Sequence, residues 1–491
     1  MQEHILNALR KALPDNDVNA VEQCVTDLHG RLSHKDKLSK NTVMVAYGGG
    51  KDSAYTTAFM RAVHLAMAER FGGETFRLVI VTMRHSGMPF VVMQNIHRTY
   101  QALGVYDDPM TELLLIEREE VRPFDLHAPM PHLLIDFNRT DLLMAGHQSY
   151  GDGRTSFCNA CNFNVANFFG VAARHCGVDL IVTGDSPDEQ RDYAVWINKL
   201  AHKTGQEPSG DATFKGTLKV LDGISQAYFK EIHGAGHAHR LADRRVTWDV
   251  SETLTFFSIY DYTDYASGAH WALLTDFLGF VFDELAFSFT ESDCANPALM
   301  AHLRGLRTER VYGRGYREGI DQYTEFAIEL MEHKDFPEHL IEVIKKRYAT
   351  DEGVTHMRDL VEGYARDTFG LTTEQLVCMV FSPFAGQCAG LHNYLSAEQP
   401  DLAPREGEIR ALLKDGGIES QELAIRLERI SGLSLTDLRQ LVASPLWSPT
   451  GSDSDREGLL PFITKSDPNQ KLIHVNFGGD ESPIMDRVSG R

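Results

Sequence analysis

The run Val43-Met44-Val45-Ala46-Tyr47-Gly48-Gly49-Gly50-Lys51-Asp52-Ser53 joins a β-branched strand pattern to three glycines, a lysine, an acid and a hydroxyl at a helix start. Glycines at such a junction let the backbone approach a ligand closely and take positive φ, so that turn N–H groups and the positive end of the helix converge on one anion. Lys51 adds a full charge and Ser53 a hydroxyl, and the chemistry these residues suit is the gripping of a phosphate chain. Two common phosphate loops do not fit. A Walker A loop requires Ser or Thr directly after its lysine and an earlier glycine, where this chain has Asp52 and Val45. A dinucleotide fingerprint is matched by Gly48, Gly50 and Ser53, but the acid expected near the end of the next strand is missing from Thr82-Met83-Arg84-His85-Ser86. An ordinary tight turn would hardly need so many glycines in succession.

A second chemical signal is Cys158-Asn159-Ala160-Cys161, just before a helical pattern. Thiols at a helix start are acidified by the dipole and suit metal ligation, persulfide transfer or disulfide exchange. Cys176 is separated from Cys161 by fifteen residues, about 22 Å along a continuous helix, so it reads as packing, as do Cys24 and Cys378. Cys294 differs, because it lies in the polar string Thr290-Glu291-Ser292-Asp293-Cys294-Ala295-Asn296-Pro297, a composition suited to a functional loop. A third signal is Thr183-Gly184-Asp185-Ser186-Pro187-Asp188-Glu189 at the end of an apolar strand. Ser186, Pro187 and Glu189 are explained by helix initiation, which leaves Asp185 as the candidate functional acid. Arg304, Arg307, Arg310, Arg314 and Arg317 form a basic cluster that suits triphosphate, an anionic substrate or RNA, or else a solvated helix face. His233, His237 and His239 are a weaker metal-ligand candidate.

Gly48 to Ser53 resembles the PP-loop of the ATP pyrophosphatase superfamily, Ser-Gly-Gly-x-Asp-Ser, with Gly48 in place of the first serine, and the resemblance covers residues 43 to about 190. It implies a HUP-like α/β fold, a parallel doubly wound sheet, that binds ATP and Mg2+. Carried over, the ATP contacts are Ala46, Tyr47, Gly48, Gly49, Gly50, Lys51, Asp52, Ser53, Thr82, Met83, Gly184 and Asp185. The loop then holds the β and γ phosphates as leaving group while a substrate carbonyl or carboxylate oxygen attacks the α phosphorus; a nitrogen or sulfur nucleophile next replaces AMP. Lys51, Asp52, Ser53, Asp185, Cys158 and Cys161 are the catalytic candidates, with Asp52 and Asp185 as magnesium or positioning carboxylates. Members that thiolate transfer RNA hold a four-iron four-sulfur cluster through a Cys-x-x-Cys and a distant third cysteine, which maps to Cys158, Cys161 and Cys294. Zinc is the lesser alternative, since the compact four-cysteine spacing of the zinc-binding nitrile synthases is missing. The start Met1-Gln2 carries no glutaminase nucleophile, so amidation needs free ammonia, an amine or a donor protein.

These residues sit in a chain of 491 residues with a formal net charge of −21 and seven cysteines. The acidity gives no general attraction to RNA or anionic membrane, and no apolar stretch approaches the roughly 20 residues of a membrane span. The odd cysteine count argues against a disulfide framework, and the expected location is cytoplasmic. A small molecule, sugar or protein is the expected substrate; a sulfur or ammonia donor protein and a homodimer are the protein partners left open. Two alternative functions are a tRNA-thiolating sulfurtransferase with an iron–sulfur cluster and a non-catalytic adenine-nucleotide sensor.

The pattern divides the chain into an N-terminal helical appendage (1–40), a PP-loop domain (41–255), a mainly helical domain (256–447) and a partly flexible tail (448–491). Strands are expected at 43–47, 78–82, 112–116 and 180–183, alternating with helices at 54–70, 90–103 and 161–175. Later helical patterns are Trp271 to Phe287, Gln322 to Glu332, His339 to Tyr348, Gln375 to Phe381 and Glu408 to Leu441, with a short strand at Leu472 to Phe477.

Overall fold

The computed structural model describes residues 2–153, 157, 160–206, 213–263, 270–285, 295–333, 336–414, 420–447, 458–466, 470–475 and 484–489. Helices α1 (Gln2–Ala12) and α2 (Asp15–Arg31) precede β1 (Thr42–Ala46), α3 (Lys51–Arg70), β2 (Arg77–Met83), α4 (Phe90–Ala102), β3 (Thr111–Glu117) and β4 (Glu120–Pro123). Then follow α5 (His132–His147), α6 (Ala160–Cys176), β5 (Leu180–Val182), α7 (Pro187–Thr204), α8 (Phe214–His233), α9 (Ala238–Ala242) and β6 (Thr255–Phe256). The fold class is α/β: a six-stranded sheet of order β4-β3-β2-β1-β5-β6, parallel except for the β3–β4 pair, beside a largely helical remainder.

The continuous apolar strands are buried on both faces, as a parallel sheet requires. Because strand side chains alternate, Val43, Val45, Leu78, Ile80, Leu180 and Val182 join one core with α1 to α4. Met44, Val79, Val81 and Ile181 face the opposite way and join α5, α6 and α8. That second core runs on into the helical remainder: α10 (Asn296–Leu306), α11 (Tyr316–His333), α12 (Glu338–Arg347), α13 (Asp351–Phe369) and α14 (Thr373–Phe381). Every residue of α10 is buried, the pattern of a helix surrounded by protein.

Two helical expectations change. Of Trp271 to Phe287, the described residues to 285 include a π-helical turn, Leu273–Phe277, which ends just before Gly279 at φ +66°. Among the described residues, Glu408 to Leu441 falls in three helices, Glu406–Leu412, Gln421–Ser431 and Leu435–Ala443; Gly432 at φ +73° separates the last two. The strand expected near Leu472 is β7 (Gln470–Val475), paired antiparallel with β8 (Ile484–Ser489).

Candidate functional site

Chain connectivity turns at β1: β2 and β3 are laid to one side of it and β5 to the other, so the strand order reverses beside the carboxyl end of β1. Open α/β sheets bind ligands at that position. The glycine loop lies there, running from Tyr47 into the first turn of α3. Gly49 has φ +85°, and a Cβ on it would stand 2.5 Å from Val92 Cγ1 and 3.0 Å from Ile96 Cδ1 of α4. Only glycine satisfies both the backbone sign and the space. Gly50 precedes α3 in extended conformation, and no side-chain cap hydrogen bond closes the helix start. The first-turn amides and the helix dipole therefore face the loop, an arrangement that favours an anion.

The β5 end abuts this helix terminus. A Cβ on Gly184 would meet the Ser53 amide nitrogen at 2.9 Å and the Asp52 carbonyl carbon at 3.1 Å. Both contacts are backbone, so neither yields by rotating a side chain. Ser186 and Glu189 form a reciprocal capping box with Pro187 in the first turn of α7. Half-buried Asp185 lies between Gly184 and this cap, and its carbonyl accepts from Gln190 Nε2 at 3.0 Å.

Lys51 and Asp52 are buried side by side, with Lys51 Nζ at 2.7 and 2.6 Å from the two Asp52 carboxylate oxygens. The ammonium also stands 5.3 Å from the ring centroid of Phe336, just before α12. Ser53 Oγ donates to the Gly50 carbonyl at 3.1 Å. Beneath the loop, the Thr82 hydroxyl donates to the Tyr47 carbonyl at 2.8 Å, and the Tyr47 hydroxyl donates to Thr99 Oγ1 at 2.9 Å. Thr82 thus holds the loop's floor through its side chain. The β1–β2 pairing ends at Ala46 and Val81, with Tyr47 N–H donating to the Val81 carbonyl at 2.9 Å. By strand alternation the peptide groups of Met83 face the same side, beyond the end of β1.

Met83 also lines a cleft of about 420 Å³ together with His85, Ser86, Asn138, Asp141, Cys161 and Asn296. Asn138 Nδ2 donates to Ser86 Oγ at 2.8 Å, and the Tyr364 hydroxyl bridges the Gly87 carbonyl at 2.9 Å and Asn296 Oδ1 at 3.0 Å. These bonds fasten the turn after β2 to α5, α10 and α13. Half-buried Cys161 is in the first turn of α6. Cys158 and Cys294 lie outside the described residues. Ala295, the residue after Cys294, donates its N–H to the Gly87 carbonyl at 3.2 Å, so the chain on that side returns to the cleft that Cys161 lines. Cys24, Cys176 and Cys378 are buried, and burial pushes the Cys176 thiol up to about 11.

Behind the cleft, Asp141 accepts from Arg244 Nε at 2.9 Å and from His233 Nε2 at 2.6 Å. Arg244 lies 3.9 Å from the Phe137 ring centroid. Burial favours the neutral Asp141 acid, but Arg244 and His233 outweigh it and hold the carboxyl below its usual range. Burial likewise lowers His233, against the pull of Asp141. His233 is therefore engaged with Asp141, and the described residues contain no group of three His, Cys, Asp or Glu side chains suited to a metal. The separation of Asp141, His233 and Arg244 in the sequence hid this network. Phe336 and Asn138 were equally illegible, since neither stands in a motif.

Comparison with protein-family models and with curated protein sequences finds no match to this chain.

Proposed function

We propose that the chain is an AMP-forming ATP pyrophosphatase whose glycine loop grips the β and γ phosphates of Mg·ATP. The observation that carries this reading is the close packing of Gly184 on the Ser53 amide, with Gly49 at positive φ, around a helix N-terminus at the reversal of strand order. The donor set suits the ligand: amides and Lys51 for phosphate oxygens, Asp52 and Asp185 for magnesium. Lys51 is paired with Asp52. Phosphate would compete for Lys51 and magnesium for Asp52, so each ligand frees the residue that the other needs.

A substrate in the adjoining cleft would present its carbonyl or carboxylate oxygen to the α phosphorus. The new oxygen–phosphorus bond forms as the bond from the α phosphorus to its bridging oxygen breaks, and pyrophosphate departs. A nitrogen or sulfur nucleophile then displaces AMP. The amide-rich lining, with Asn138, Asn164 and Asn296, suits a hydrogen-bonding small molecule, sugar or protein side chain.

Sulfur insertion is favoured over nitrogen by one observation, the convergence of Cys161 and the chain just after Cys294 on the same cleft. In that route Cys158, Cys161 and Cys294 would hold an iron–sulfur cluster, which would supply a site for binding sulfide.

The test incubates the protein with Mg·ATP, ammonium or sulfide, and a panel of carboxylate, sugar and RNA acceptors, and separates the nucleotide products. AMP with stoichiometric pyrophosphate supports the proposal. ADP and inorganic phosphate as the only products overturn it. Iron and acid-labile sulfide measured after anaerobic purification, present in the wild type and lost in Cys161→Ala, support the sulfur route.

A further inference from the structure

The basic cluster divides in two. Arg310, Arg314 and Arg317 pair on the surface with Glu309, Glu318 and Asp351, the solvated-face alternative. Arg304 and Arg307 turn inward instead, with side chains only 6% and 11% exposed. Together with Arg487 of β8 they line a pocket of about 450 Å³, open to solvent on one side and lined also by Tyr150, Asp152 and Tyr323. It shares no lining residue with the glycine loop or the cleft. Arg304 Nε donates to Gln322 Oε1 at 2.9 Å, and Arg304 also pairs with the fully buried Asp486. Arg307 NH1 stands 3.8 Å from Asp486, while the Arg307 Nε is buried without a hydrogen-bond partner among the described residues.

Asp486 and Asp152 are the carboxylates that act on the buried Arg307 guanidinium. The Asp486 acceptors are already occupied by Arg304 and by the Tyr312 hydroxyl at 2.7 Å. The orphaned Arg307 N–H is costly unless something accepts from it. The wall is also held in a strained form: Tyr150 has φ 53°, in the left-handed region, and its ring lies 5.4 Å from the Arg307 guanidinium. A non-glycine residue at such a φ persists only where its surroundings impose it.

We infer that this pocket is a binding site for the oxyanion of a small molecule, a carboxylate or a phosphate, held by Arg304, Arg307 and Arg487. Planar guanidinium forks match both groups, and the Arg307 Nε supplies a buried donor for one of their oxygens. The site sits at one end of α10, whereas Asn296 at the other end lines the cleft; eight residues, about 12 Å, separate Asn296 from Arg304. A ligand seated on Arg304 would thus lie one buried helix away from the cleft wall. The β7–β8 hairpin supplies both Asp486 and Arg487, so the chain's last described strand completes the site. None of this depends on the nucleotide reading.

The experiment is calorimetric titration of the whole protein with inorganic phosphate and, separately, with acetate, at constant ionic strength set by chloride. Wild type, Arg307→Gln, Arg487→Gln, the glycine-loop variant Lys51→Met and the surface control Arg310→Gln are compared, each first checked for wild-type circular dichroism. Saturable binding of either anion with one site per chain that weakens at least about tenfold in Arg307→Gln or Arg487→Gln, and is kept in Arg310→Gln, supports the site. The preferred anion then names its source, a phosphorylated or a carboxylated molecule. No saturable binding of either anion, or binding unchanged in the folded Arg307→Gln and Arg487→Gln proteins, overturns it. Phosphate binding lost only in Lys51→Met belongs to the glycine loop and overturns it as well.

Discussion

Gly184→Ala adds one methyl group to the point where β5 touches the start of α3. Its Cβ would stand 2.9 Å from the Ser53 nitrogen, 3.0 Å from the Ser53 Cα and 3.1 Å from the Asp52 carbonyl carbon. Ordinary contacts begin at about 3.4 Å, so the strand end and the helix must part by roughly half an ångström, at an overpacking cost of about 1–3 kcal/mol. The part of the helix that moves carries the amides assigned to the phosphates. Stretching one or two charge-assisted hydrogen bonds removes about 1.5–3 kcal/mol each, which weakens Mg·ATP binding by at least about tenfold. Gly177→Ala is the control: it has φ +60° and nothing within 4 Å of a built Cβ, so it strains the backbone by about 1–2 kcal/mol far from the loop. Thermal unfolding and calorimetric titration with Mg·ATP separate the effects. Both variants should melt below wild type, and only Gly184→Ala should bind nucleotide more weakly. Wild-type affinity in a destabilised Gly184→Ala protein would refute the assignment of those amides.

Acid should destabilise the fold well above the carboxylate range. Burial lowers His64 and His147 to about 3 and His302 to about 4, and His64 also receives Arg61 on Nδ1 at 2.9 Å. Folded pKa values below the unfolded value of about 6.5 mean that neutral histidine stabilises the fold above that pH, and that this stability is lost as pH falls toward 4. Three such groups give a slope approaching about 4 kcal/mol per pH unit, so urea midpoints should drop steeply between pH 6 and 5; a flat profile there would contradict their burial. Arg244→Ala strands the Asp141 carboxylate and should cost about 3–5 kcal/mol in urea unfolding, far more than Arg405→Ala, whose ion pairs lie at the surface. Cys161→Ala should leave Mg·ATP affinity within twofold of wild type while abolishing sulfur-dependent turnover, since Cys161 lines the cleft and not the loop; intact turnover would remove the thiol from the mechanism.

The sheet was legible because parallel strands buried on both faces are written as continuous apolar runs, and Val43 to Ala46 or Leu78 to Thr82 can hardly be read otherwise. The loop was legible because its constraint falls on residue type: the positive φ of Gly49 and the close approach of Gly184 each demand glycine. Short elements carried no such signal. The β6 strand has two residues and both are exposed, so its pairing with β5 is set by tertiary position. Helix α5, preceded by Pro129 and Pro131 and opening without a side-chain cap, lacks the usual start signal. The arginine pocket was half visible: the spacing from Arg304 to Arg317 marked a basic helix, but Arg487 is 180 residues away from Arg307, and only the hairpin β7–β8 brings the two together.

The most direct measurement of the glycine loop's role is competition between Mg·ATP and magnesium pyrophosphate for the protein, by calorimetry, in wild type and Gly49→Val. If the loop grips the β and γ phosphates, the two ligands displace each other one for one, and Gly49→Val, which drives a branched side chain into Val92 and Ile96, loses both. Binding of ATP that pyrophosphate does not displace, or that survives Gly49→Val unchanged, would contradict the account.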